Sequence, residues 1–162
     1  MAQQDAHTVR ALYEAFGRGD IPFVIGALDS QVEWREADNF IYADKNPYLG
    51  PAAVLEGVFA RIGGEWEWFN ASPDEVLDAG ETIIGRGYYS GVYKKNGNEV
   101  RAQFAHFFTF RAGKVITFQQ YIDTAPIPEG HQQLAMLFTI LPTQQSRRTL
   151  CSSICSAPRS LP

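Results

Sequence analysis

The sequence predicts an α+β fold in which helices are collected ahead of an antiparallel sheet. Three observations predict it. Apolar residues recur at helical spacing only within the first 62 residues. From residue 65 to residue 123 the pattern switches to period two and stays there. Within that stretch, Asn96-Gly97 separates two long alternating runs, the strongest short-range signal for a hairpin.

Taken in order, Val9, Leu12, Tyr13 and Phe16 stand at i, i+3, i+4 and i+7 and mark one face of a first helix, which Gly17-Arg18-Gly19 stops. Asp20 is placed to cap a second short helix, with Pro22 in its first turn and Ile21, Val24, Ile25 and Leu28 as its apolar stripe. Gln31–Glu36 alternates, with Val32, Trp34 and Glu36 on one side, and predicts a strand. An aromatic, turn-rich loop follows over Ala37–Gly50. Gly50-Pro51 opens a third helix carrying Val54, Leu55, Val58, Phe59 and Ile62, and Gly63-Gly64 is expected to end it. Strand pieces are expected at Glu65–Ser72 and Glu75–Ala79, interrupted by Pro73, then at Thr82–Tyr93, Glu99–Arg111 and Val115–Asp123. Residues 1–126 form the expected domain. Residues 127–162 form an extension: a short apolar run at Gln133–Leu141, which reads as one or two further helical turns packing on the body, then a Ser/Thr/Gln/Arg/Pro-rich tail over Pro142–Pro162 without periodicity, expected to be disordered or loosely attached.

The chain of 162 residues is long enough for one core without staples. Its net charge of −4 argues against a nucleic-acid binder, which needs a basic face to displace counterions. No apolar run approaches the ~20 residues that span a bilayer, and the polar residues Met1–Asp5 give no sign of a signal peptide. The two cysteines, Cys151 and Cys155, both fall in the tail with no histidine partner close by, so the body calls for neither a disulfide nor a zinc site, and a cytoplasmic location is expected. Aromatic residues are abundant at 13%, and they concentrate between Tyr13 and Tyr121, either packing tightly or lining a cavity.

VRALYEAFGRGDIPFVIGALDSQVEW at Val9–Trp34, GPAAVLEGVF at Gly50–Phe59 and FAHFFTFRAGKVITFQQYID at Phe104–Asp123 together resemble the nuclear transport factor 2-like superfamily, in particular its SnoaL-like and ketosteroid isomerase-related branch. The resemblance covers roughly residues 7–126 and rests on the order and spacing of these stretches. It implies a cystatin-like, cone-shaped curved sheet wrapped around the helices, with a ligand held inside. The superfamily hosts isomerases, polyketide cyclases, dehydratases, epoxide hydrolases and non-catalytic binding modules, so the reaction has to be argued from individual residues.

Tyr13 stands where the resemblance implies an oxyanion-hole tyrosine; the alternative is a core ring with a locally satisfied hydroxyl. Glu36 is the inward carboxylate of the first strand if Val32 and Trp34 face the core, and burial beside a Trp would raise its pKa toward useful values; if the strand frays after Trp34, it is solvated. His106 is the histidine within the sheet, suited to acid–base work at neutral pH or to a satisfied core position. Both faces of its strand are apolar, so alternation does not decide which one looks inward. Asp123, sharing a face with Thr117, Gln119 and Tyr121, lies near the acid/base aspartate that the resemblance implies for SnoaL-like cyclases, and otherwise suits the turn at Thr124-Ala125-Pro126. Phe16, Trp34, Phe59, Gln119 and Tyr121, with Tyr42 and Tyr48 from a loop over the mouth, are the candidate substrate-binding residues. Trp66 and Trp68 share a face at strand spacing and are expected in a core or dimer interface.

Ala105 stands where ketosteroid isomerases have a protonated aspartate, which counts against steroid isomerisation. An Arg-x-Asp pair of the limonene epoxide hydrolase kind and a second sheet histidine of the scytalone dehydratase kind are both missing. The expectation is an acid–base enzyme (isomerase, cyclase or lyase) that acts on a small apolar carbonyl compound without a metal or organic cofactor, or else a non-catalytic binding module of the same fold. Aromatic crowding on the sheet predicts a homodimer.

Overall fold

The computed structural model describes residues 2–127; the apolar run at 133–141, the tail, His131, Cys151 and Cys155 lie outside the described residues. Helix α1 (Ala2–Gly17) buries Ala6, Val9, Leu12, Tyr13 and Ala15, the face its apolar spacing predicts. Asp20 caps α2 (Ile21–Gly26), its carboxylate accepting the Phe23 backbone N–H at 3.2 Å. The chain then enters strand β1 (Leu28–Arg35), crosses a loop containing a single 3₁₀ turn at Ala43–Lys45, and forms the two-residue strand β2 (Tyr48–Leu49).

Helix α3 (Gly50–Val54) runs through a π-helical turn (Leu55–Phe59) directly into α4 (Ala60–Glu65), so helix persists through Gly63-Gly64. Gly57, in the π turn, is where the Tyr48 ring lies against the helix, and a Cβ there would overlap the ring. The wide turn and the missing side chain thus let a loop aromatic dock on the helix backbone.

Strands β3 (Trp66–Asp78), β4 (Thr82–Tyr93), β5 (Asn98–Arg111) and β6 (Lys114–Ile122) form an antiparallel meander within a six-stranded sheet of order β2-β1-β6-β5-β4-β3. Strand β1 lies parallel to β6, while the other strand pairings are antiparallel. Joining parallel neighbours requires a long connection, here the helices and the rest of the meander. β3 is continuous through Pro73, although the register shifts between Pro73 and Glu75; as the outermost strand, β3 has an unpaired edge that tolerates a missing N–H.

Burial fixes the parity that alternation left open. The inward residues are Ile83 and Tyr89 on β4, Val100, Ala102, Phe104, His106 and Phe108 on β5, and Val115, Phe118 and Gln120 on β6. Residues 117, 119 and 121 therefore point outward. A register shift between Thr109 and Phe110 inserts Ile116 into β6, so Val115 and Phe118 are both buried despite odd spacing. A second shift separates Trp66 from Trp68, and this corrects their expected common face: Trp66 is 2% exposed and Trp68 51%. Among the described residues, no helix is long and apolar enough to cross a membrane.

The β5–β6 hairpin closes through Ala112-Gly113, which sit at φ +50° and +75° between the paired residues Arg111 and Lys114. Positive φ at both central positions defines a type I′ turn, which favours Asn-Gly over Ala-Gly because Ala carries its Cβ into the left-handed region. Ala112→Asn should stabilise the domain by about 0.5–1 kcal/mol, measured as a higher urea midpoint at unchanged m-value; an unchanged or lower midpoint contradicts this assignment of the turn.

Candidate functional site

The concave face of the sheet, α1, α2 and the helical segment 50–65 enclose a cavity of about 70 Å³. Phe16, Phe59, Phe69, Phe108 and Phe118 make up much of its wall, with Leu12, Val24, Leu28, Val58 and Ile62 filling between the rings. Trp34 stacks on Phe118 with centroids 3.7 Å apart and closes one side. Against this apolar surface stand the polar groups of Tyr13, Glu36, Tyr89, His106 and Gln120.

Glu36 is one residue beyond the end of β1, yet only 2% exposed. Asn46 explains why the chain does not fray there. Its Oδ1 accepts the Glu36 N–H at 3.0 Å and its Nδ2 donates to the Glu36 carbonyl at 2.8 Å, replacing the strand ladder with a side-chain clamp. The carboxyl oxygen Oε1 accepts the Trp34 indole N–H at 2.7 Å, whereas Oε2 has no partner. Desolvation raises the pKa of Glu36 to about 7, the Trp34 hydrogen bond opposing part of the rise.

His106 is 4% exposed and has both ring nitrogens engaged: Nδ1 lies 2.8 Å from the Tyr13 hydroxyl and Nε2 2.6 Å from the Tyr89 hydroxyl. Phe104 stacks on the imidazole with centroids 4.1 Å apart. Burial lowers the His106 pKa to about 3, so the ring is neutral across the physiological range. The same desolvation pushes the Tyr13 and Tyr89 hydroxyls up, keeping both protonated. Gly85 pairs directly with His106 across β4 and β5, and a Cβ at Gly85 would collide with the Tyr13 hydroxyl; its absence is what admits Tyr13 to the histidine. Gln120 completes the cluster, accepting the Ala37 N–H at 3.1 Å through Oε1 and donating from Nε2 to Tyr89 at 2.9 Å.

Of the residues singled out from sequence, Tyr13, Phe16, Trp34, Glu36, Phe59 and His106 are brought together on this cavity. Asp123, Gln119 and Tyr121 are not. Gln119 and Tyr121 share the outward face of β6, Tyr121 is 57% exposed, and Asp123, one residue past the strand, is exposed with its carboxylate accepting the Ala125 N–H at 3.1 Å in the following turn. Asp123 borders a shallow outer depression with Arg86 and Gln103 instead. This placement corrects the expectation that Asp123 works inside the cone: past the end of β6, its exposed carboxylate serves the following turn. Tyr42 and Tyr48 are buried but line the loop rather than the cavity. Tyr42 donates to Glu65 and accepts from the Trp66 indole, while Tyr48 donates to the Tyr42 carbonyl at 2.6 Å. They pin residues 42–48 to the helix and to Trp66. Sequence reasoning missed Gln120 and Tyr89. The signal for Gln120 was its parity with Phe118, and for Tyr89 its alternation with Gly85 and Gly87.

The model of the SnoaL-like domain matches residues 9–118, which is more than half of the chain. The chain belongs to the SnoaL-like family. A nuclear transport factor 2-like protein from Burkholderia thailandensis is 32% identical, with a TM-score of 0.72 over 76% of this chain and 93% of that one. Another such protein from Burkholderia pseudomallei is 30% identical, with a TM-score of 0.69 over 75% and 92% of the two chains. TerC, crystallised with polyporic acid, shares the fold at 22% identity and a TM-score of 0.66 over 75% of this chain and 92% of its own. No curated protein matches the chain by sequence. Among the described residues of this SnoaL-like domain, no cluster of three His, Cys, Asp or Glu side chains converges as a metal site would require.

Glu36 and His106 oppose each other in their effect on stability. Between pH 4.5 and 6.5 the unfolded chain carries a proton on His106 and none on Glu36, while the folded domain carries one on Glu36 and none on His106. The proton counts match, so this pair contributes no pH slope in that window. Glu36→Gln removes one side of the balance. The variant should lose stability as pH falls below 6.5, at up to about 1.4 kcal/mol per pH unit, when denaturant unfolding is followed from pH 7 to 4.5; parallel wild-type and variant profiles would contradict the assignment.

Proposed function

We propose that this SnoaL-like domain is an acid–base enzyme that relocates a proton on a small, apolar, ring-bearing carbonyl compound, in an isomerisation, cyclisation or elimination. The observation carrying the reading is the unpartnered Oε2 of Glu36 inside an aromatic cavity. Leaving a buried acceptor unsatisfied costs roughly 1–3 kcal/mol. A site retaining that cost is well explained by a ligand group that meets the oxygen. With its pKa near 7, Glu36 is half ionised at neutral pH, where a general base and its conjugate acid are both available.

In this reading the ionised Glu36 takes a proton from the carbon next to the substrate carbonyl. The C–H electron pair moves into the C–C bond and the carbonyl π electrons onto oxygen, forming an enolate. The Tyr13 hydroxyl donates a hydrogen bond to that oxygen. The Glu36 carboxylic acid then returns its proton to a second position, or to a leaving group, and regains its starting charge. Trp34, Phe16 and Phe59 hold the ring of the substrate and exclude water. The cavity of about 70 Å³ is smaller than the roughly 150 Å³ that takes a benzene ring, so a single-ring substrate enters only as the aromatic wall moves outward, and larger substrates are disfavoured.

The reading is tested with a panel of single-ring aromatic ketones and cyclic enones, scoring both binding and product. For a substrate that turns over, kcat/KM should rise with pH through about 7 and then level off, following ionisation of Glu36. Glu36→Gln should lower kcat by about 10²–10⁴-fold and Tyr13→Phe by about 10²–10³-fold, while Asp123→Asn leaves it unchanged. Binding without conversion across the panel would leave a non-catalytic ligand-binding module, and full activity in Glu36→Gln would remove Glu36 from the mechanism.

The outer face supports the homodimer predicted from sequence. Trp68 and Tyr121 are 51% and 57% exposed there, and Phe107 packs edge-on to Tyr121. Light scattering of the intact chain should give twice the monomer mass, and Tyr121→Asp should shift it toward the monomer; a wild-type monomer at micromolar concentration would end this assignment.

A further inference from the structure

His106 has two hydroxyl neighbours and, being neutral, only one N–H to offer them. Which nitrogen holds that proton decides where the Tyr13 proton points, and therefore whether Tyr13 can serve a ligand at all. The far end of the cluster is unambiguous. A backbone N–H only donates, so the Ala37 amide fixes the Gln120 side-chain oxygen as its acceptor and turns the Gln120 amide nitrogen, a donor, onto the Tyr89 oxygen.

From Tyr89 onward two directions exist. In one, Tyr89 donates to Nε2 of His106, and Nδ1–H donates to the Tyr13 oxygen. In the other, Nε2–H and the Gln120 amide both donate to the Tyr89 oxygen and Tyr13 donates to Nδ1. The number of hydrogen bonds is the same. Their arrangement is not. The first is head to tail, each donor polarising the next; the second sets two donors against one oxygen.

We propose that Gln120 is a positioning residue that sets the direction of the chain Gln120–Tyr89–His106–Tyr13, holding the His106 proton on Nδ1 and turning the Tyr13 hydroxyl proton into the cavity toward an oxygen of the ligand. His106 then carries out no proton transfer; it orients a tyrosine. The proposal deepens the reading of Tyr13 as the donor to a carbonyl oxygen and rests on it for its ligand half, while the tautomer stands without any ligand.

The full-length protein labelled with ¹⁵N at histidine tests the tautomer directly. The imidazole resonances of His106 at neutral pH should show Nδ1 protonated and Nε2 bare. In Gln120→Leu the enforced direction is lost, and the two nitrogens should move toward an averaged position. A wild-type spectrum with the proton on Nε2, or with both nitrogens protonated, overturns the proposal whether or not the variant folds. A folded Gln120→Leu protein that keeps the wild-type tautomer removes Gln120 from its role. Acetophenone serves as the ligand probe. Its carbonyl stretch should fall in frequency on binding to wild type, return to that of unbound acetophenone in an apolar solvent in Tyr13→Phe, and shift less in Gln120→Leu than in wild type. A stretch that shifts equally in wild type and Tyr13→Phe overturns the ligand half. Correct tautomers without turnover of any ketone would defeat the proposed enzyme reaction and leave the hydrogen-bond direction intact.

Discussion

An uncharged histidine inside an aromatic core is the constraint around which this domain is arranged. His106 reaches that position because inward residues on β5 alternate, and the same alternation brings Phe104 and Phe108 in beside it. An imidazole there needs both nitrogens satisfied, since an unpaired buried polar group costs more than a hydrogen bond usually returns. The two partners come from different layers: Tyr13 from α1 and Tyr89 from β4. Satisfying one side chain thus ties the first helix to the sheet. It also demands a glycine opposite the histidine, because any side chain at Gly85 would occupy the space of the Tyr13 hydroxyl.

Glu36 presents the opposite case. Its backbone is held by Asn46 and one carboxyl oxygen by Trp34, so its placement is over-determined while its second oxygen is left without a partner. The loop that supplies Asn46 is itself anchored by Tyr42, Tyr48 and Arg61. Arg61 bonds the Asp44 carboxylate at 2.7 Å and lies over the Tyr42 ring at 4.5 Å. A loop of turn residues is thereby held rigidly enough to keep a carboxyl group away from water. Sites that work by preorganisation require this kind of support behind the reacting group.

Much of the fold was legible because its signals are local. The apolar stripe of α1, the Asp20 cap and the Asn-Gly hairpin are each decided by a few neighbouring residues, and each appears where the pattern placed it. The site was legible only in part, and the division has a physical cause. Tyr13, Glu36 and His106 were marked by chemistry: a phenol, an acid and an imidazole in apolar runs. Which face of a strand is concave is not a local property. β5 is apolar on both faces, and β6 carries a polar residue on each, Gln119 outward and Gln120 inward. Choosing between adjacent glutamines requires knowing which side the helices cover. Bulges add to the difficulty, since a one-residue insertion separated Trp66 from Trp68 and placed Val115 and Phe118 on one face.

The two ionisable groups of the cavity differ in the room left to them. Both are almost wholly removed from water, and desolvation is the first cause of both shifts, upward for the acid and downward for the base. Each is thereby driven toward its neutral form. For His106 that form is final: two hydroxyls complete it, and protonation would require both to reorganise around a buried cation. For Glu36 the shift stops near neutrality, and an empty coordination position remains beside it. Of the two, only the carboxyl group has both a reachable second protonation state and an unoccupied direction from which a partner can approach. In the proposed reaction, the division between a residue that moves a proton and one that holds a neighbour in place follows from the number of hydrogen bonds each already makes, more than from the intrinsic acidity of either.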